Sequence, residues 1–203
     1  MSVPCIGTEG PAPEPEDVTY SFKPSLMGAP QEFRVGADAL YWQAGRYEGR
    51  IPYRTIKAIR LSFRPMTMQT QRFVTEIWAE SAPKLTVSSA SVRGAVDMQR
   101  QDAPYAAFVR ALHRQMTARG AKPQLLAGSS RYVYWPGVVL FGLLGPAIIV
   151  MLVRSVQAGA AAGAAILGVV MLYFFYQMAT FFWRNWPSAY DAAVLPERVL
   201  PRS

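Results

Sequence analysis

Residues 133–153 run for 21 positions without a charged side chain, and residues 155–183 run for another 29. A helix rises about 1.5 Å per residue, so about 20 apolar residues cross a hydrocarbon core roughly 30 Å thick. Backbone N–H and C=O groups find no water at that depth, which leaves a helix as the conformation that satisfies them. The pattern predicts two membrane-spanning helices, over residues 132–154 and 160–184. The second run exceeds the length of one crossing, and its Ala- and Gly-rich start supplies the turn. Arg154 is the one charge between the runs, and so short a connection forces an antiparallel hairpin with both ends on one side.

Trp and Tyr collect where a chain crosses the headgroups. Tyr132, Tyr134 and Trp135 open the first span, and Tyr173, Tyr176, Trp183 and Trp186 lie in the second half of the second, so a hairpin brings both sets to one membrane face. Arg114, Arg119, Lys122, Arg131, Arg184, Arg198 and Arg202 flank the hairpin, against Arg154 alone at its turn. The positive-inside rule then puts both termini in the cytoplasm. Gly159 and Gly163, with Gly142 and Gly145 on the first helix, allow close helix approach, either within the hairpin or against another membrane subunit. Pro146 is expected to kink the first helix, and Gln177 and Thr180 to bond a neighbouring one. Neither span holds Asp, Glu, Lys or His, so nothing in them resembles a proton relay or ion path.

The rest of the chain is charged. Residues 1–131 carry 17 of the 21 Lys and Arg and 11 of the 13 Asp and Glu, which puts most of the net charge of +8 on this portion. A hydrophobic content of 51% excludes a disordered protein, and a single cysteine, Cys5, excludes an intrachain disulfide or a cysteine-rich metal cluster. Residues 1–16 hold Glu9, Glu14, Glu16 and four prolines without one basic residue, and are expected to form a disordered acidic arm in place of a cleaved leader.

Between residues 17 and 120 the hydrophobic period is close to two. Strands are expected at 18–22, 32–36, 39–43, 56–63, 72–79 and 84–89, separated by turn residues such as Gly36, Gly45 and Gly49. Over residues 102–119 the period lengthens: Tyr105, Phe108, Leu112 and Met116 form the apolar stripe of an amphipathic helix, with Asp102 as its N-cap and Gly120 as its stop. The fold class is α+β: a small antiparallel barrel or sandwich capped by a helix, then a linker at 121–131, the hairpin, and a Pro-containing tail at 185–203. The tail's Tyr190 and its two Leu-Pro steps suit either packing beneath the domain or a docking peptide.

Phe33-Arg34-Val35, Leu40-Tyr41-Trp42 and then Ile51-Pro52-Tyr53-Arg54-Thr55-Ile56-Lys57-Ala58-Ile59 resemble the bacterial pleckstrin-homology-like (PH-like) domains found beside transmembrane segments. The similarity covers residues 17–119. It implies a PH-like barrel with a C-terminal helix, on a multi-pass protein of the bacterial inner (cytoplasmic) membrane, and it brings no catalytic motif. The first hairpin loop, residues 23–31, has one lysine, so the phosphoinositide site of eukaryotic PH domains is not carried over.

Basic residues concentrate between Arg34 and Arg72, where eight face two acidic ones. Arg46, Arg50, Arg54, Lys57, Arg60 and Arg64 are the candidates for contact with anionic headgroups or an acidic protein, the alternative being a solvated face. A pI near 9.9 raises nucleic acid, but no zinc-finger spacing, recognition-helix signature or RNA-binding motif is present. His113, the sole histidine, is expected on the helix surface, and Glu76 and Glu80 are expected to face solvent. With no P-loop, dinucleotide fingerprint or HExxH, neither a small-molecule substrate nor a cofactor is expected. The expectation is a non-enzymatic accessory or scaffold subunit that binds an integral membrane partner or a second copy of itself; the alternative is an anionic-lipid sensor without a fixed protein partner.

Overall fold

The computed structural model describes residues 18–65, 71–94, 98–192 and 194–201. The acidic arm and Cys5 lie outside the described residues. Alternating burial marks the first strands: β1 (Val18–Phe22) turns Tyr20 and Phe22 inward, and β2 (Gln31–Val35) does the same with Phe33 and Val35. A tight connection, closed by the Gly36 amide on the Ala39 carbonyl at 3.1 Å, leads to β3 (Ala39–Ala44). Gly45, at φ +63°, makes the next turn into β4 (Tyr47–Pro52). These four strands form an antiparallel meander in sequence order.

A 3-10 turn (Tyr53–Thr55) then feeds β5 (Ile56–Pro65), which pairs antiparallel with β6 (Gln71–Ala79), and β6 with β7 (Leu85–Ser88). A separate ribbon joins β8 (Ala90–Val92) to β9 (Met98–Arg100). Of the expected barrel or sandwich, no closed barrel forms among the described residues: the strands make a four-stranded sheet, a five-stranded sheet and this ribbon. Side chains join the layers: Tyr20 and Phe33 of the first sheet meet Phe108 in an aromatic cluster, with Tyr105 against Tyr20, and the Tyr105 hydroxyl lies 2.6 Å from the Thr75 hydroxyl on β6.

Helix α1 (Asp102–Ala118) lays its apolar stripe into that core. Gln101 occupies the N-cap position without a side-chain cap, and Asp102, the expected cap, is instead the first helical residue and pairs with Arg100. The carboxylate still lies at the positive end of the helix dipole. At the other end Gly120, at φ +67°, closes a Schellman motif: the Ala121 amide bonds Met116 O and the Gly120 amide bonds Thr117 O.

Residues 121–131, expected as a linker, contain strand β10 (Gln124–Ala127), which runs parallel to β5. Helices α2 (Arg131–Gln157) and α3 (Ala161–Arg184) follow; both are long and apolar enough to cross a membrane, and their apolar windows lie outside the protein's own core. Gly159, at φ +83°, is the Schellman glycine that ends α2. Facing aromatics zip the pair together: Phe141 lies 4.7 Å from Phe175 and 5.6 Å from Phe182, centroid to centroid.

After α3 the chain returns to the domain. Strand β11 (Ser188–Ala189) pairs with β10, and Val199 and Leu200 enter the hydrophobic core. Of the two expectations for the tail, packing against its own domain describes these residues.

Candidate basic cleft at the hairpin base

The hairpin is bonded into the β domain. Asn185, fully buried just beyond α3, accepts the Phe63 amide on Oδ1 at 3.0 Å and donates from Nδ2 to Phe181 O at 3.1 Å. Its own carbonyl accepts the Ser129 amide at 3.0 Å, and the Gly128 amide bonds Leu61 O at 2.7 Å. Arg184 stacks its guanidinium 4.3 Å from the centre of the Phe63 ring and donates to Arg198 O at 3.2 Å. These bonds fix β5 beside the base of both long helices.

Alternation along β5 turns Ile59, Leu61 and Phe63 into the core, and therefore Arg60, Ser62 and Arg64 to the opposite face. On β6 the matching positions are Arg72, Val74 and Glu76, with Arg60 across from Glu76 and Arg64 across from Arg72. Like charges directly opposite on neighbouring strands repel. This face, Lys84 and the hairpin base enclose a cleft of about 670 Å³. Ser129, Ser130 and Val133 at the start of α2, and Met178 and Phe181 near the end of α3, form its other wall.

Four cations and one carboxylate line the cleft, and two of the cations pair with that carboxylate. Glu76 Oε1 accepts Arg64 at 3.1 Å and Lys84 at 2.6 Å. Glu76 is buried, and so is not the solvent-facing strand residue expected from the sequence. Arg60 lies 5.3 Å from the centre of the Trp78 ring. Arg72 has a buried Nε without a hydrogen-bond partner, and burial, then the neighbouring Arg64, lowers its pKa below the usual arginine value. Ser62, 3% exposed, has an equally unpartnered Oγ.

The six basic candidates do not form one patch. Arg60 and Arg64 line the cleft, whereas Arg46 and Arg50 belong to the meander, where Arg50 approaches the Tyr41 ring at 6.0 Å beside Arg34 at 4.8 Å. Arg54 donates to Arg119 O at 3.4 Å, and Lys57 pairs with Glu80 at 3.2 Å. Ser62, Arg72 and Lys84, which are not among the sequence candidates, also line the cleft, and β5 and β6 alternation aligns the first two with Arg60 and Arg64.

The glycine candidates also separate. Gly145 packs against the Phe175 ring, 3.3 Å from where a Cβ would stand, so it serves contact within the hairpin; Gly142 and Gly163 have open space at the same position, and Gly159 is the turn. Gln177 donates to Tyr173 at 2.7 Å and Thr180 to Tyr176 O at 3.0 Å. Both bonds run along their own helix.

His113 is buried, contrary to the surface position expected for it. Nδ1 donates to Val109 O at 2.8 Å, so Nε2 accepts from the Tyr190 hydroxyl, also at 2.8 Å. Among the described residues no group of His, Cys, Asp and Glu is arranged to hold a metal ion. No protein-family model, curated protein or solved structure matches this chain.

Proposed function

We propose that this chain is a non-enzymatic membrane protein that holds a basic β domain against the anionic cytoplasmic leaflet of the bacterial inner membrane, with both termini cytoplasmic. The observation that carries the reading is the position of the Arg60, Arg64, Arg72 and Lys84 cleft, beside the base of helices long and apolar enough to span a bilayer. Each cation near an acidic leaflet contributes about 1 kcal/mol, and the tether removes the entropy of finding the surface. Tyr132, Trp135, Trp183 and Trp186 are exposed around the same level, as a headgroup belt requires. A PH-like origin of the β domain belongs to this proposal, supported by its strand-rich segment followed by α1.

The test is the lipid that leaves the membrane with the protein. Extracted from bacterial membranes in a copolymer disc, the full chain is expected to carry more anionic phospholipid than discs around a neutral-flanked control hairpin. Equal compositions would count against the reading.

A second reading, an accessory subunit joined to an integral membrane partner or a second copy, is favoured by the open faces at Gly142 and Gly163. Purification in mild detergent with mass spectrometry of co-eluting chains tests it: a constant partner or dimer supports it, and a lone monomer sinks it.

A further inference from the structure

We infer that the cleft at the hairpin base binds the phosphate group of an anionic membrane lipid, seated between Arg64 and Arg72 with the Ser62 hydroxyl donating to it. The inference rests on the membrane-docking reading above and names the ligand of that site.

Three independent features point to an anion. Arg64 and Arg72 face each other across β5 and β6, and an anion between them converts a repulsion into two charge-assisted hydrogen bonds. Arg72 Nε and Ser62 Oγ are buried without partners, which costs free energy until something accepts from them. Ser129 and Ser130 bring the positive end of the α2 dipole to the same cleft. Glu76 does not fill this role: it pairs with Arg64 and Lys84, and Arg72 Nε and Ser62 Oγ stay without a partner.

A further feature selects a lipid over a soluble anion or an acidic protein. The wall opposite the arginines is Val133, Met178 and Phe181, on membrane-length helices within two turns of their ends. A ligand that meets both walls has a phosphate at one end and hydrocarbon continuing along α2 and α3. Basic side chains and apolar helix surface meet at the depth where a phospholipid makes the same transition.

The test uses the full chain in neutral detergent, titrated with dioctanoyl phosphatidylglycerol, dioctanoyl phosphatidylcholine and inorganic phosphate, with bound lipid counted by native mass spectrometry. The expected result is saturable phosphatidylglycerol binding, weakened about tenfold by Arg72→Gln and less by Ser62→Ala, with Arg46→Gln unchanged. Arg72→Gln relieves a like-charge pair, so folding is preserved; Ser62→Ala supplies a second variant of small volume change. Binding unaltered by both cleft variants but lowered by Arg46→Gln overturns the site while leaving membrane docking in place. Equal binding of both lipids by the wild type overturns the docking reading itself. Inorganic phosphate competing as strongly as phosphatidylglycerol overturns the lipid assignment in favour of a soluble anion.

Discussion

Two buried polar residues, Asn185 and His113, hold the returning chain. Asn185→Leu keeps the volume but strands the Phe63 amide and loses the bond to Phe181 O. An unpaired buried donor costs about 1–3 kcal/mol, so the variant should lower the thermal midpoint of the detergent-purified chain; an unchanged midpoint would show that water replaces the side chain. His113 carries a sign. Burial lowers its pKa, outweighing the Val109 carbonyl bond that raises it. Below about pH 6.5 the unfolded imidazole takes a proton that the folded one refuses. The stabilisation is therefore complete above that pH and is lost as pH falls through the lowered folded value. The thermal midpoint of the wild type should drop more between pH 7 and 5 than that of His113→Gln, and equal drops would contradict the account. The burial of His113 was readable in principle: Val109, Leu112, His113 and Met116 share one helical face, wider than a strict three-and-four stripe.

At the scale of elements, what the sequence made legible follows from local period. Uncharged runs marked α2 and α3, and alternation located β1, β3, β5 and β6, because a membrane span and a half-buried strand each leave a mark within a few neighbouring residues. Strand β10 carries no such mark. Its partner β5 is distant in sequence, and a parallel pairing between them is set by the packing of everything in between. The same holds for the tail, whose Val199 and Leu200 read as anchors without an address. The cleft inherits this division: Arg60, Ser62 and Arg64 follow from one strand's alternation, but their meeting with Arg72 and Lys84 needs the β5–β6 register. The junction gives a sharp prediction. A Cβ at Gly128, where φ is +84°, would stand 2.5 Å from the carbonyls of Asn185 and Trp186. Gly128→Ala should cost at least about 1–2 kcal/mol from the left-handed backbone alone, whereas Gly142→Ala, with open space around it, should leave the thermal midpoint of the isolated chain unchanged.

For the whole molecule, the net charge of +8 is a matter of geography. The charge belongs to the β domain and the hairpin flanks, while the turn at the far end of α2 and α3 holds Arg154 alone. Bonds from Asn185, Arg184 and Gly128 prevent the domain from swinging freely about its anchor, so the basic cleft keeps one depth relative to the hairpin. The proposed docking on the cytoplasmic leaflet requires the domain and both helix bases to lie on the cytoplasmic side. The most direct measurement is cysteine accessibility in intact bacteria, on a Cys5→Ser background that removes the sole native thiol. The account predicts that Ala158→Cys, at the α2–α3 turn, is labelled by a membrane-impermeant thiol reagent from outside, and that Arg46→Cys, in the β domain, is labelled only after the membrane is opened. Labelling of Arg46→Cys from outside, with Ala158→Cys protected, would contradict it.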